Sequence, residues 1–460
     1  MPEKNPSTSP PLALSAKAQR TKEAPISALI AAAVANPDLI SLAAGLVDPL
    51  TLPVEECAQI TQRIFSDRKR GQAALQYDTT LGLEPLRHQV LAHVEALEGM
   101  PASAFGVTAE DVVVTTGSQQ ALYLIGDVMI DPGDIVIAAN PSYFVFTGTL
   151  QSLGSDVIGV PVDEQGMDVE AVARLLERLE ADGRIDRVKF VYVTSFFDNP
   201  TGLTLSLARR QRLLQIVRKH ANKHRILILE DAAYRELRYE GAALPSIKSF
   251  DEGNEYTILT QTFSKPFAPG IKLGYTLMPK GLTDPILQQK GNHDFGSASL
   301  SQHIALETMR DGSYTKHLEV LKREYGRKRD LMLAAMQQHL PATQAIRWTH
   351  PSGGLYVWVT LPAWMDASRS GHLFAKCVER GVLYVPGDYS FQPDEAGTVP
   401  MNHLRLSFGN VHPDRIDAGI ARLGDAIREE IEQRAPAGAR AAATQATAVS
   451  ATAASAGAAP

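Results

Sequence analysis

Cysteine is nearly absent: Cys57 and Cys377 are the two in 460 residues. So few cannot build a disulfide framework or a cysteine zinc site, and the scarcity fits a reducing compartment. No apolar run approaches the roughly 18 residues that span a bilayer. The first residues, MPEKNPSTSPPLALSAKAQ, lack the apolar core of a secretory signal. An excess of positive charge is missing too: 45 Lys and Arg stand against 51 Asp and Glu, a net charge of -6. That leaves no basic footprint for nucleic acid, and the segment before the patterned region is too short for a DNA-binding module. The expectation is a cytoplasmic protein without nucleic-acid or membrane partners. No internal repeat is evident.

What is present is a long chain, 44% hydrophobic, enough for two packed domains. Apolar strands near Val112, Ile135, Phe190, Ile226 and Ile258 alternate with helical patterns. This predicts an α/β fold with a mainly parallel, doubly wound sheet. From about Leu300, helical patterns at 302–309 and 314–338 lead into a smaller α+β domain with strands at 356–361 and 404–408. The divisions read as an N-terminal arm and mobile segment at 1–50, a large domain at 51–300, a small domain at 301–434 and a tail at 435–460. The Ala-rich tail has too few large apolar side chains to offset ordering entropy, so it is expected to be disordered.

Four segments carry chemistry. The run TFSKPFAPGIKLG sets Lys265 just after Thr262 and Ser264 and seven residues before a second cation, Lys272. An aldehyde cofactor bearing a phosphate needs that set: one amine for a Schiff base, hydroxyls, and a separate positive charge for the phosphate. In VVVTTGSQQAL a strand turns at Gly117 into a helix opening at Ser118. Such a helix start binds phosphate through backbone N–H groups and its positive dipole end. VYVTSFFDNPTG presents Asn199 beyond a buried strand, and ILILEDAAYRELRY runs a strand into Asp231 with Tyr234 three residues on. A carboxylate at such a strand end can keep a pyridine nitrogen protonated. Asn199, Asp231 and Lys265 follow one another at intervals of 32 and 34 residues, one strand and crossover apart.

Taken in order, these segments resemble fold-type-I pyridoxal phosphate enzymes of the class I/II aminotransferase family, closest in pattern to the branch of 2-aminoadipate and kynurenine aminotransferases. The similarity runs from about Ile40 to Arg434, and also covers LQYDTTLGLEPLR, NPSYFVF, PSGGLYVWVTLP, GVLYVPGDYSF and NHLRLSFGN. The resemblance implies pyridoxal 5'-phosphate as cofactor and a homodimer. It also implies roles. Lys265 carries the cofactor and moves protons. Asp231 partners the ring nitrogen, while Asn199 and Tyr234 meet the ring oxygen. Tyr143 stacks on the ring. Gly117, Ser118, Gln119, Thr262, Ser264 and Lys272 surround the phosphate, and Tyr77 reaches the phosphate of the neighbouring subunit. Arg405 clamps the substrate carboxylate, its planar fork suiting two parallel hydrogen bonds, with Gly45 beside the substrate.

Of the departures from the family pattern, none removes a catalytic atom and several fall where substrate identity is set. Lys272 replaces the usual arginine, Asp198 replaces glutamine or histidine before Asn199, and SALIAAAV (27–34) lacks the arginine of acid-selective relatives. His293 and Asp294 stand in a stretch expected near the cofactor of the partner subunit, with substrate contact as one reading and a surface pair of Asp294 with Lys290 or His293 as the other. His220 and His224, four residues apart, read as a solvated basic helix end, and no metal site is expected. The leading function is amino-group transfer from an amino acid to a 2-oxo acid. The alternative is a lyase, cyclase or oxidase using the same cofactor on an amino acid in specialised metabolite biosynthesis. A non-catalytic cofactor-binding regulator is a third.

Overall fold

The computed structural model describes residues 12–22, 29, 36, 38–221 and 223–436. The tail from 437 and the SALIAAAV segment, Leu29 excepted, lie outside the described residues.

The apolar runs form an eight-stranded sheet. Its members are β2 (Val112–Thr115), β3 (Ile135–Asn140), β4 (Asp156–Asp163), β5 (Gly166–Met167), β6 (Val188–Thr194), β7 (Leu227–Asp231), β8 (Thr257–Thr262) and β9 (Gly274–Leu277). The spatial order is β2-β9-β8-β7-β6-β3-β4-β5. Pairs β3–β4, β3–β6, β6–β7 and β7–β8 are parallel. Because β2, β7 and β8 are buried at every position, they read as continuous apolar runs rather than alternating ones. Helices Gly117–Met129, Phe144–Leu153, Val169–Ala181 and Leu207–Lys219 cover the sheet, packing against it through two separate apolar clusters.

Strand β9 breaks the parallel pattern. It pairs antiparallel with both β8 and β2, Thr262 opposite Gly274. The eleven residues between those partners are too few for a parallel crossover, which takes a dozen or more, so the chain must return beside itself. That return holds Lys265 at the carboxyl end of β8. The β7-to-β8 connection likewise carries only a 3₁₀ turn, Lys248–Phe250, where the sequence pattern suggested a helix.

Beyond the helix Ser299–Arg310, the helix Ser313–His339 packs against Pro413–Arg434. Between them in sequence lies an antiparallel sheet of order β10-β11-β14-β13: β10 (Arg347–Trp348), β11 (Tyr356–Thr360), β13 (Val385–Pro386) and β14 (His403–Ser407). Strand β1 (Ile40–Ser41) pairs parallel with β12 (Val382–Leu383), tying the segment before the large sheet to the far end of the chain. One apolar cluster runs through both parts, from Leu86 and Val114 to Leu406 and Ile427. Among the described residues no helix is long and apolar enough to cross a membrane.

Candidate active site

The carboxyl ends of β6, β7 and β8 open into one cavity of about 370 Å³, closed from the other side by Tyr356 of β11 and Arg405 of β14. Open α/β sheets place ligands at this edge. The cavity brings together Gly45, Gly117, Ser118, Gln119, Tyr143, Asn199, Asp231, Tyr234, Thr262, Ser264, Lys265, Lys272 and Arg405.

Lys265 Nζ donates to the Gly45 carbonyl at 2.9 Å and lies 5.9 Å from the centre of the Tyr234 ring. Burial lowers its pKa from the ordinary lysine value. The Arg405 and Lys272 cations add to that effect and Tyr356 opposes it. Gly45 is required by close approach: a Cβ there would stand 2.6 Å from the Tyr356 hydroxyl.

Asp231 ends β7 almost fully buried. Its Oδ2 accepts from the Tyr192 hydroxyl at 3.1 Å and its Oδ1 from the Ala233 N–H at 3.2 Å. Burial pushes this carboxyl up to about 6, with both hydrogen bonds pulling the other way. Arg405 Nη1 donates to Asn199 Oδ1 at 2.7 Å and Nη2 to the Ala43 carbonyl at 3.0 Å. Its guanidinium carbon lies 4.3 Å from the Tyr356 ring centre, and its buried Nε has no hydrogen-bond partner. The Tyr143 hydroxyl donates to Gln119 Oε1 at 3.2 Å, and burial raises its phenol pKa. Tyr234 and Tyr356 share a hydroxyl–hydroxyl bond at 2.9 Å.

The phosphate end is equally defined. Gly117 has φ +73° at the start of the Gly117–Met129 helix, a conformation L side chains avoid, and a Cβ there would meet no atom within 4 Å. The helix start is open to the cavity and Thr116 provides no side-chain cap. Thr262 Oγ1 lies 3.0 Å from Ser264 Oγ, and Lys272, exposed at φ +50°, closes the turn after Pro269–Ile271. Uncapped N–H groups, two hydroxyls and a cation fit a phosphate; a buried carboxylate facing a phenol and a lysine fits a pyridine aldehyde. The residues present therefore suit pyridoxal phosphate.

Tyr77, His293 and Asp294, expected at the cofactor of the neighbouring subunit, lie outside this chain's own cavity. Tyr77 is exposed, its ring 6.2 Å from that of Phe295. His293 and Asp294, with Gln120 and Tyr123, line an adjoining, more open depression that shares Gln119 and Lys272 with the cavity. There Asp294 accepts from Lys290 Nζ at 2.9 Å and from Gln120 Nε2 at 2.5 Å. His220 departs from the solvated reading. It caps the Leu207–Lys219 helix, buried, with Nδ1 3.1 Å from Glu180 Oε2, while His224 Nε2 meets the Val188 carbonyl at 2.8 Å. The helix ends before both, so they share no face. Among the described residues no group of three His, Cys, Asp or Glu side chains is placed to hold a metal. Sequence reasoning assigned no role to Tyr356, Thr194 or Phe144, all of which line the cavity. Tyr356 stood in a quoted motif, but β11 is buried on both faces and its pattern points to neither.

Residues 37–423 match the family model for aminotransferase class I and II. An aromatic-amino-acid aminotransferase from Thermococcus litoralis is 36% identical over 400 residues, covering 87% of this chain and 90% of that protein. A 2-aminoadipate transaminase from Thermus thermophilus is 34% identical over 395 residues, 85% of this chain and 91% of that protein. The crystal structure of a kynurenine aminotransferase from Pyrococcus horikoshii, complexed with PMP, superposes with TM-score 0.82 at 33% identity, covering 91% and 97%. Fold and cavity define a pyridoxal phosphate enzyme of fold type I. Within that class, the chain belongs to the class I and II aminotransferases and is a pyridoxal phosphate-dependent enzyme moving amino groups between amino and oxo acids. The lyase, cyclase or oxidase alternative falls behind this reading.

Proposed function

We propose that the cavity holds pyridoxal phosphate on Lys265 and transaminates amino acids whose side chains are apolar or aromatic, each residue acting in the role its position suits. The observation that carries this is the meeting of Lys265, Asp231 and Arg405 on one cavity. When bound, the cofactor supplies an electron sink for the substrate's Cα electrons. Lys265, its pKa lowered by burial, takes the Cα proton and returns it. Asp231 holds a proton on the ring nitrogen, its charge retained by the Tyr192 and Ala233 hydrogen bonds. Arg405, steadied by Asn199 and the Ala43 carbonyl, turns its fork to the substrate carboxylate. Helix Gly117–Met129, Thr262, Ser264 and Lys272 take the phosphate.

The substrate preference rests on the walls. Leu46, Phe144, Val145 and Tyr356 line the described cavity, and beyond Lys265, Lys272 and Arg405 no further cation of the described residues does. A distal carboxylate there would be buried without a partner, which costs heavily. We further propose a cytoplasmic homodimer, with exposed Tyr77 and Phe295 on the surface offered to the second subunit. The divisions 51–300 and 301–434 serve as its large and small domains.

The test is a half-reaction series: cofactor-loaded enzyme mixed with glutamate, 2-aminoadipate, leucine, phenylalanine or arginine, with the 2-oxo acid product quantified. Leucine and phenylalanine are expected to give product fastest. A clear preference for the two acidic donors contradicts the substrate assignment.

A further inference from the structure

Gln120 lies on the first turn of the Gly117–Met129 helix, in the depression beside the cavity, and both ends of its amide are engaged. Its Oε1 accepts from the Thr116 N–H at 2.7 Å, a reach-back of the kind that completes a capping box. Its Nε2 donates to Asp294 Oδ2 at 2.5 Å and lies 3.2 Å from His293 Nδ1. Asp294 Oδ1 in turn accepts from Lys290 Nζ, a buried ammonium, at 2.9 Å. Only one orientation of the amide serves both partners, since the N–H needs the carbonyl oxygen and the carboxylate needs the NH2.

The segment held in this way is the phosphate turn. Thr116 supplies no side-chain cap, and the next three residues, Gly117, Ser118 and Gln119, line the cavity. Gly117 permits its φ of +73° but does not enforce it. Two contacts fix the turn from the sheet. The Thr115 hydroxyl donates to the Gly117 carbonyl at 3.0 Å, and a Cβ on Gly274 of β9 would stand 2.7 Å from Ser118 N. Gln120 adds a tie from outside the sheet, to the end of the Thr283–Asp294 helix.

We infer that Gln120, anchored by Asp294 and Lys290, is a positioning residue for the cofactor's phosphate: it holds the Thr116–Gly117 turn so that the N–H groups at the helix start meet the phosphate oxygens. This rests on the reading of that helix start as the phosphate site. Donors aimed before the anion arrives cost no ordering when it binds, so the tie acts on affinity without touching the ligand. The Thr116 N–H is spent on Gln120, which leaves the phosphate to the residues after it. Asp294 lines the depression and not the cavity, and its charge is met by Lys290, so the anchor adds little repulsion toward a bound anion.

The experiment compares dissociation constants for pyridoxal 5'-phosphate and for pyridoxal, which lacks the phosphate, in wild type, Gln120→Leu and the double variant Lys290→Met with Asp294→Ala. Leucine is close to glutamine in size and removes both bonds. The double variant removes the anchor without changing net charge. Wild type is expected to favour the phosphorylated form strongly. In Gln120→Leu that preference is expected to fall about tenfold, the scale of one lost hydrogen bond, while pyridoxal affinity changes less than about twofold. The double variant is expected to lose about threefold, because Gln120 keeps its partner in Thr116 but is no longer held to it. A general loosening of the cavity would weaken both ligands alike, so equal losses overturn the inference. So does an unchanged preference in either variant, and the double variant decides should Gln120→Leu not fold. If wild type binds pyridoxal as tightly as its phosphate, the reading of the helix start as a phosphate site fails. If wild type keeps the preference and the variants share it in full, only the present inference does.

Discussion

Asp231 and Asp294 each end a regular element, β7 and the helix Thr283–Asp294; from sequence the first was read as the partner of the ring nitrogen, the second as either a substrate contact near the partner subunit's cofactor or a surface pair. Their surroundings are opposite. Asp231 is buried among neutral donors, a phenol and one backbone N–H, with no cation hydrogen-bonded to it. Asp294 is met by the buried ammonium of Lys290 and by Gln120. A charge held by neutral groups retains the capacity to bind a cation; one already paired has spent it. The same holds around them: the central cavity gathers Lys265 and Arg405 with Asp231, whereas the depression at His293 collects groups that answer one another.

The sharpest contrast is in turnover. Lys265→Ala is expected to lower the transamination rate by about 10⁴-fold or more, the upper range for loss of a positioned acid–base group, measured with leucine and a 2-oxo acid. Next is Arg405→Lys, which keeps the charge and loses the fork. Its kcat/KM is expected to fall about 10²-fold, and an unchanged value would remove the carboxylate clamp. Both belong to the central cavity.

A smaller effect concerns folding. The Asp198 carboxyl is raised by burial, from its ordinary value of 3.8 to about 6. A raised carboxyl binds its proton more tightly in the folded state, so its contribution is fully present below about pH 4 and is lost as pH rises through 6. Asp198→Asn escapes that loss. Urea unfolding of cofactor-free protein should show the variant gaining on wild type by about 1–3 kcal/mol between pH 4 and pH 7; a gain that shrinks with rising pH contradicts the sign. The smallest kinetic effect belongs to the other region. Asp294→Ala should change half-reaction rates less than about threefold and leave the donor ranking intact, while costing about 1–3 kcal/mol of stability because Lys290 is left buried without its partner. A changed donor ranking would return Asp294 to the substrate site.

The strands that lead into Asn199, Asp231 and Lys265 were legible because buried parallel strands are written as unbroken apolar runs with polar residues at or just beyond their carboxyl ends. The antiparallel β9 was not, since its direction follows from the length of the Lys265 loop and not from its own four residues. Asp294 was half legible: Lys290 lies one helical turn before it, but Gln120 is 174 residues away in sequence. Tyr356 went unassigned for the same reason. Its hydroxyl partner, Tyr234, lies 122 residues away in sequence and follows β7 of the other sheet, a contact no local pattern records.

The central claim is that the cavity at the ends of β6, β7 and β8, and not the neighbouring depression, carries the cofactor through Lys265. Borohydride reduction of the holoenzyme followed by peptide mass mapping tests it most directly. The account predicts a single phosphopyridoxyl adduct on the peptide containing Lys265. An adduct on Lys272 or Lys290, or one that survives Lys265→Ala, would contradict it.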